Sequence, residues 1–365
     1  MPARSRLRLP RIRKGGRGFA ASSATADRLA DLDGVRDNPG NLRARCYVPA
    51  DLRGPAPLVV VLHGCTQDAA AYDHGSGWST LADRHGFLLL FPEQRRANNP
   101  MLCFNWFSGD DTRRGAGEAA SIRSMIDAMA RAHEVDPSRI FVTGLSAGGA
   151  MASAMLATYP EVFAAGAILA GVAYGCAADV GQAFDCMGGR GGGDPGELAG
   201  HVRRASAHEG PWPRIQVWQG SADRTVVPSN AESIVLQWRE LHGLGAKPDR
   251  SDRVKTYPRR TWLGPEGEPL IEHVSITGMA HGVPLAGDGL GEAGPHMLDV
   301  GLSSTERIAT FFGIAEEAED EGRAARAPAS PLRLTPAPAA PPQAAAASGV
   351  QAVIEDALRK AGLMR

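Results

Sequence analysis

The sequence predicts a doubly wound α/β domain on a mostly parallel sheet, and three observations carry that prediction. Leu58-Val59-Val60-Val61-Leu62 is an unbroken apolar run, as expected for a strand buried on both faces. Strand-like and helix-like segments alternate from there to residue 312. Gly144-Leu145-Ser146-Ala147-Gly148 joins a β-type run, 139–143, to a small-residue helical run, 149–156. Its glycines leave room for the close strand–helix packing such a turn needs.

In chain order, the first strand is 58–62, followed by a helix near 78–85 and a strand at 87–91. A helix near 117–133, a strand at 139–143 and a helix at 148–157 come next, then a strand at 165–170. Residues 172–212 read as an insertion placed to cap a site. Their run Gly188-Gly189-Arg190-Gly191-Gly192-Gly193 is no phosphate loop, since no strand precedes it and no Gly-Lys-Ser/Thr follows. Ile215-Gln216-Val217-Trp218-Gln219 falls in a strand at 214–219, with a helix at 230–242 after it. Residues 271–276 alternate as a strand, and a helix near 303–312 closes the domain.

A serine at the centre of G-x-S-x-G sits on a sharp turn that exposes its Oγ above the sheet. The pentapeptide alone also fits an ordinary glycine-rich turn, so the later segments matter. Asp223 follows the 214–219 strand, and His281 follows the 271–276 strand within Gly278-Met279-Ala280-His281-Gly282. Alone, Asp223 reads as an Asx-turn or cap, and His281 as a solvated loop histidine. Serine, aspartate and histidine in that order, each at a strand end, point instead to a nucleophile, an orienting acid and a base. Upstream, the 58–62 strand ends at His63-Gly64-Cys65-Thr66-Gln67. Backbone N–H groups of Cys65 and Ala147 are the expected oxyanion donors, and His63 reads as a loop-shaping residue.

With these residues in place, the chain resembles the polyhydroxybutyrate depolymerase family of esterases. The segments that carry the resemblance include LHGCTQ (62–67), GWSTLADRHGFLLLFPEQ (77–94), CFNWF (103–107) and GEAASI (117–122). They continue with VDPSRIFVTGLSAGGAMA (135–152), YPEVFAAGAILAG (159–171), VWQGSADRTVVP (217–228) and GMAHGVPL (278–285), and span roughly residues 38–315. The resemblance implies an α/β-hydrolase fold with Ser146, Asp223 and His281 as the triad. It implies ester substrates: polyhydroxyalkanoate polymer or oligomers or, in related members, feruloyl or acetyl esters of plant polysaccharide. A catalytically silent hydrolase-fold binding protein is the remaining reading, opposed by the intact triad. No cofactor and no metal are expected.

Composition adds bounds. A net charge of −1 gives no reason to expect a nucleic-acid partner. No apolar run approaches the roughly 18 residues of a membrane span. Oligomeric state is not legible. Trp78, Trp106, Tyr174 and Trp218 lie beside motif segments and are placed to line an acyl pocket, or else pack in the core. Glu118, at a helix start, reads as a dipole partner or a buried anchor. The five cysteines lack paired C-x-x-C spacing, against a structural zinc site. Disulfides Cys65–Cys103 and Cys176–Cys186 are the preferred pairing, leaving Cys46 free; five reduced thiols are the alternative.

Residues 1–37 read as a basic, disordered tail. Its first 18 residues carry Arg4, Arg6, Arg8, Arg11, Arg13, Lys14 and Arg17 with no apolar stretch, so it is no secretory signal as written. The resemblance implies an extracellular or periplasmic location; the missing signal leaves a cytoplasmic one open. Residues 38–315 form the catalytic domain, 316–348 an Ala/Pro-rich linker, and 349–365 an amphipathic helix with Val350, Ile354, Leu358 and Leu363 on one face. No segment reads as a polymer-binding domain, so soluble oligomers or amorphous polymer are the expected targets.

Overall fold

The computed structural model describes residues 27–316. Strands β1 (Ala30–Asp31), β2 (Arg43–Tyr47) and β3 (Ala56–Leu62) come first, then helices α1 (Ala69–Ser76) and α2 (Trp78–His85) and strand β4 (Leu88–Glu93). Next are α3 (Gly109–Thr112), α4 (Gly117–Ala132), β5 (Val135–Leu145), α5 (Ala147–Thr158) and β6 (Ala165–Leu169). The insertion holds α6 (Val180–Asp185) and α7 (Pro195–Ala205). Beyond it lie β7 (Arg214–Gly220), α8 (Ser229–Leu241), β8 (Arg250–Val254), β9 (Tyr257–Leu263) and β10 (Pro269–Ile276). A small parallel pair, β11 (Val283–Leu285) with β12 (Met297–Asp299), and α9 (Ser304–Phe312) complete the described chain.

The main sheet runs β1-β2-β4-β3-β5-β6-β7-β10-β9-β8. Strands β4 through β10 in that order are parallel, and the margins are antiparallel. β3 shows why its sequence is continuously apolar. Leu58, Val60 and Leu62 face one core with Ile122, Met125, Met151, Met155 and Trp238, contributed by α4, α5 and α8. Val59 and Val61 face the other core with Trp78, Leu81, Ile308 and Phe312, from α2 and α9. Helices cover both faces, so no residue of the strand meets water. This is the doubly wound architecture of α/β-hydrolases.

From β3 the chain steps to β4 on one side and then crosses to β5 on the other. Such a switch in strand order opens a crevice at the carboxyl ends of the strands flanking it. The loop after β3 and the turn after β5 therefore meet there.

Three features differ from the sequence reading. Residues 27–37 are held against the body rather than free. The Arg28 guanidinium bonds Ser79 Oγ at 2.9 Å and pairs with Asp83, Arg45 pairs with Asp27 at 2.8 Å, and Leu29 is buried. The rest of the expected tail (1–26), the residues after 316 and the expected helix at 349–365 lie outside the described residues. Second, β1, β2 and the β8–β9 hairpin were not anticipated. Arg250, Asp252, Arg253, Arg259 and Arg260 replace any apolar run there, since an edge strand is exposed and charge discourages further pairing. Third, helices α1, α3, α6 and α7 and the β11–β12 pair are additional elements outside the sequence pattern.

Candidate active site

Ser146 occupies the tip of the β5–α5 turn with φ 57° and ψ −117°, a strained conformation for a residue with a side chain. Its neighbours must be glycine. A Cβ on Gly144 would stand 2.4 Å from the Gly148 carbonyl oxygen, and one on Gly148 would stand 2.3 Å from the Leu62 carbonyl oxygen. The Ser146 N–H donates to the Leu169 carbonyl at 2.9 Å, pinning the turn to β6. All twelve residues of α5 are buried, which explains its uniformly small and apolar sequence.

Asp223 and His281 reach each other because β7 and β10 are parallel neighbours, with Ile276 opposite Gly220. Their outgoing loops are stitched together: Ser221 N–H donates to Ile276 O, and Ala222 N–H to Met279 O, each at 3.0 Å. Gly220 permits this approach, since a Cβ there would lie 2.3 Å from the Met279 carbonyl oxygen. His281 Nδ1 lies 2.7 Å from Asp223 Oδ2. A carboxylate only accepts, so the proton is on Nδ1 and the imidazole lone pair is on Nε2. The Asp223 side chain is fully buried. Its other bonds come from the N–H groups of Thr225 (2.8 Å) and Val226 (3.0 Å) and from Gln219 Nε2 (3.1 Å). These donors satisfy the anion that burial would otherwise penalise.

Ser146, Ala147, Cys65 and His281 all line one apolar cavity of about 70 Å³. That is room for about five water-sized groups, the size of a short acyl chain. Ala147 is the first residue of α5, so its N–H has no intrahelical acceptor and the positive end of the helix dipole adds to it. Val172, Val180, Ala183, Phe184 and Met187 from the insertion form the roof, and Met101, Trp106 and Phe107 form one wall.

Of the four expected pocket aromatics, only Trp106 lines the cavity. Trp78 is packed edge-on to Phe87 at 6.2 Å between ring centres, inside the core. Trp218 lies in the same core, its Nε1 bonded to Gln216 Oε1 at 2.9 Å, because strand alternation turns it to that face. Tyr174 packs on the opposite core, and Gln237 bonds both its N–H and its carbonyl. Motif proximity put these three near the site in sequence; the helix face turned Trp78 away and the pleat Trp218, while Tyr174 sits in the loop after β6 with its backbone held by Gln237.

Cys65 and Cys103 are disulfide-bonded with Cα atoms 4.2 Å apart, as are Cys176 and Cys186 with Cα atoms 6.0 Å apart. Cys46 is free and buried, and desolvation raises its thiol pKa. His63 is 1% exposed; its Nε2 accepts from the Gln94 N–H at 3.1 Å, so its Nδ1–H donates to Gly64 O at 2.8 Å. Burial pushes its pKa below the usual imidazole value.

Several residues of the site, lining the cavity or bonded to Asp223, escaped the sequence reading. His296 lines the cavity and meets His281 edge-on, ring centres 5.8 Å apart. Gln219 has no motif of its own, although it belongs to the VWQGSAD segment that carried Asp223. The roof residues carry no signal beyond their place in the insertion. Among the described residues no helix is long and apolar enough to cross a membrane.

Residues 44–253 match the family described as esterase PHB depolymerase. The chain is 45% identical over 307 residues to poly(3-hydroxyalkanoate) depolymerase C of Paucimonas lemoignei, covering 81% of this chain and 72% of that protein. It is 34% identical to a probable acetylxylan esterase A of Aspergillus clavatus, covering 73% and 89%. The solved acetyl xylan esterase from Aspergillus awamori superposes with a TM-score of 0.68 at 27% identity, covering 79% of this chain and 99% of that one.

Proposed function

The chain belongs to the esterase PHB depolymerase family and is a carboxylic ester hydrolase, and from that premise we propose a Ser146–His281–Asp223 triad acting on short hydroxyacyl esters. The observation that carries the proposal is the apolar cavity. Ser146, Cys65, Ala147 and an imidazole hydrogen-bonded to a buried carboxylate all line it. His281 Nε2 takes the Ser146 proton as Oγ attacks the ester carbonyl. Asp223 holds the Nδ1–H tautomer and stabilises the imidazolium. The Cys65 and Ala147 N–H groups receive the oxyanion, where one donor is typically worth roughly 3–4 kcal/mol of barrier. His281 then protonates the leaving alkoxide, and water repeats the sequence on the acyl-enzyme.

The substrate reading is a 3-hydroxyalkanoate polyester or its oligomers. The similarity to the Paucimonas protein supports it, as does a cavity sized for a short acyl unit. Acetyl esters of xylan are the second reading, supported by the Aspergillus relatives. Two disulfides fit an oxidising compartment, extracellular or periplasmic.

The test has two arms. Ser146→Ala should keep the melting temperature and lose p-nitrophenyl butyrate hydrolysis, with about 10³–10⁴-fold catalysis over water remaining. Near-normal turnover by that variant would exclude Ser146 as nucleophile. Release of 3-hydroxybutyrate from oligomers, set against acetate release from acetylxylan, decides the substrate. Faster acetate release would reverse the choice.

A further inference from the structure

Glu118 is completely buried at the first turn of α4, yet nothing in the triad chemistry uses it. Its carboxyl accepts three bonds. Oε1 takes Gln94 Nε2 at 2.5 Å and Asn105 Nδ2 at 2.9 Å; Oε2 takes the Asn105 backbone N–H at 2.8 Å. The same Gln94 Nε2 donates to the Cys103 carbonyl at 3.0 Å. Glu118 thus grips the backbone on both sides of Phe104, and Cys103 is covalently joined to Cys65.

A second line runs from Gln94 to the same place. Its backbone N–H donates to His63 Nε2, and His63 Nδ1–H donates to the carbonyl of Gly64, the residue before Cys65. The Thr66 N–H, on the far side of Cys65, donates to Met101 O at 2.7 Å. The loop that presents the Cys65 N–H is therefore held by the Thr66–Met101 bond, by one disulfide and by a line of bonds through His63 and Gln94, the last two leading back to the Glu118 carboxyl. Burial and the nearby Asp111 carboxylate push that carboxyl up to about 8. A buried acid is retained here at a cost an apolar residue would avoid.

We propose that Glu118 is a positioning residue for the oxyanion hole. It sets the Cys103–Asn105 backbone and, through Cys65–Cys103 and the Gln94–His63 pair, aims the Cys65 N–H at the developing oxyanion. The inference rests on the reading of Cys65 as an oxyanion donor. Its test separates the two.

Glu118→Gln conserves shape but turns an N–H₂ toward at least one of the three donors, so one contact is lost. Misplacement of a catalytic donor by a fraction of an ångström should lower kcat on p-nitrophenyl butyrate about 10- to 100-fold with KM nearly unchanged. A butyl boronic acid, which adds to the nucleophile and presents a tetrahedral oxygen to the hole, should lose affinity in parallel. A purely structural role would lower the melting temperature and leave the kcat and boronate values of the folded fraction alone, and that result overturns the proposal. Asn105→Ala, at a half-buried loop position, removes one of the three contacts and should show the same split at smaller size. It carries the test if Glu118→Gln fails to fold, and an unchanged kcat there also overturns the proposal. Fluorophosphonate labelling of the wild type is the control. Absence of label on Ser146 would sink the triad reading itself. Labelled, active wild type beside an unaffected Glu118→Gln would sink only the positioning role.

Discussion

Removing the Cys65–Cys103 bridge should separate chemistry from stability. In a Cys65→Ala/Cys103→Ala double variant every backbone N–H survives, so any loss of turnover reports where the Cys65 donor points. The bridge spans a sequence separation of 38. Chain-entropy reasoning assigns about 4 kcal/mol to a closed loop of that length. Cys176–Cys186 spans a separation of 10 and is worth about 3 kcal/mol on the same reasoning. The two double variants should thus differ by only about 1 kcal/mol in urea unfolding. In kinetics they should differ in kind. The Cys65/Cys103 variant should lose kcat on p-nitrophenyl butyrate by on the order of 10- to 100-fold with KM held. The Cys176/Cys186 variant loosens the cavity roof, so it should raise KM and spare kcat. Cys46 remains in both variants as a common background, buried with its thiol pKa raised. A Cys65/Cys103 variant that unfolds earlier but turns over at the wild-type rate would refute the view that the bridge fixes the oxyanion loop.

Other outcomes follow from single side chains. Asp223→Asn should keep the fold and lower kcat by about 10⁴-fold, because an amide in place of the carboxylate favours the wrong imidazole tautomer; steady-state assays showing a loss below tenfold would contradict that role. Phe184→Ala opens the roof of the cavity. Each added methylene accommodated is worth about 0.8 kcal/mol, close to fourfold in kcat/KM, so a p-nitrophenyl ester series should shift from butyrate toward hexanoate. An unchanged chain-length profile would remove Phe184 from the acyl site. Glu118 gives stability a pH slope. Its pKa rises from 4.5 to about 8 on folding, so the folded state holds a proton that the unfolded state releases across that window. Stability is fully present below 4.5 and should decline, by on the order of a few kcal/mol, as pH rises toward 8. Chemical unfolding at several pH values should show a shallower slope for Glu118→Gln, and an identical slope would assign the effect elsewhere.

The parallel core was readable because its physics is local. A strand covered on both faces must be apolar at every position, and 58–62 is. The turn at Ser146 was readable because only glycine tolerates the approaches at 144 and 148. Asp223 and His281 were readable as residue types at strand ends, but their 2.7 Å contact depends on β7 and β10 being neighbours, which no local pattern states. The β8–β9 hairpin was hidden by its charges. Trp78 and Trp218 show the opposite failure: nearness to a motif in sequence says nothing about which face of a helix or strand a ring takes. Glu118 was readable as a dipole partner or a buried anchor, but its link to Cys65 runs through Gln94, His63 and a disulfide drawn from three loops.

The roof of the cavity comes from one contiguous stretch. Val172, Val180, Ala183, Phe184 and Met187 all lie between β6 and β7, tied at the neck by Cys176–Cys186. The proposed nucleophile, base, acid and oxyanion donors come from other connections, after β3, β5, β7 and β10. The insertion's share of the substrate fit is thus encoded apart from those residues, while Met101, Trp106 and Phe107 add a wall from the connection between β4 and α3. A lineage can vary side chains there, by drift or by recombination, and shift acyl preference as long as the insertion keeps its bonds to the loop after Asp223, where the Val227 N–H and Asn230 Nδ2 both donate to the Met187 carbonyl. Engineers inherit the same freedom. A library confined to 172–187 samples specificity without spending variants on the machinery.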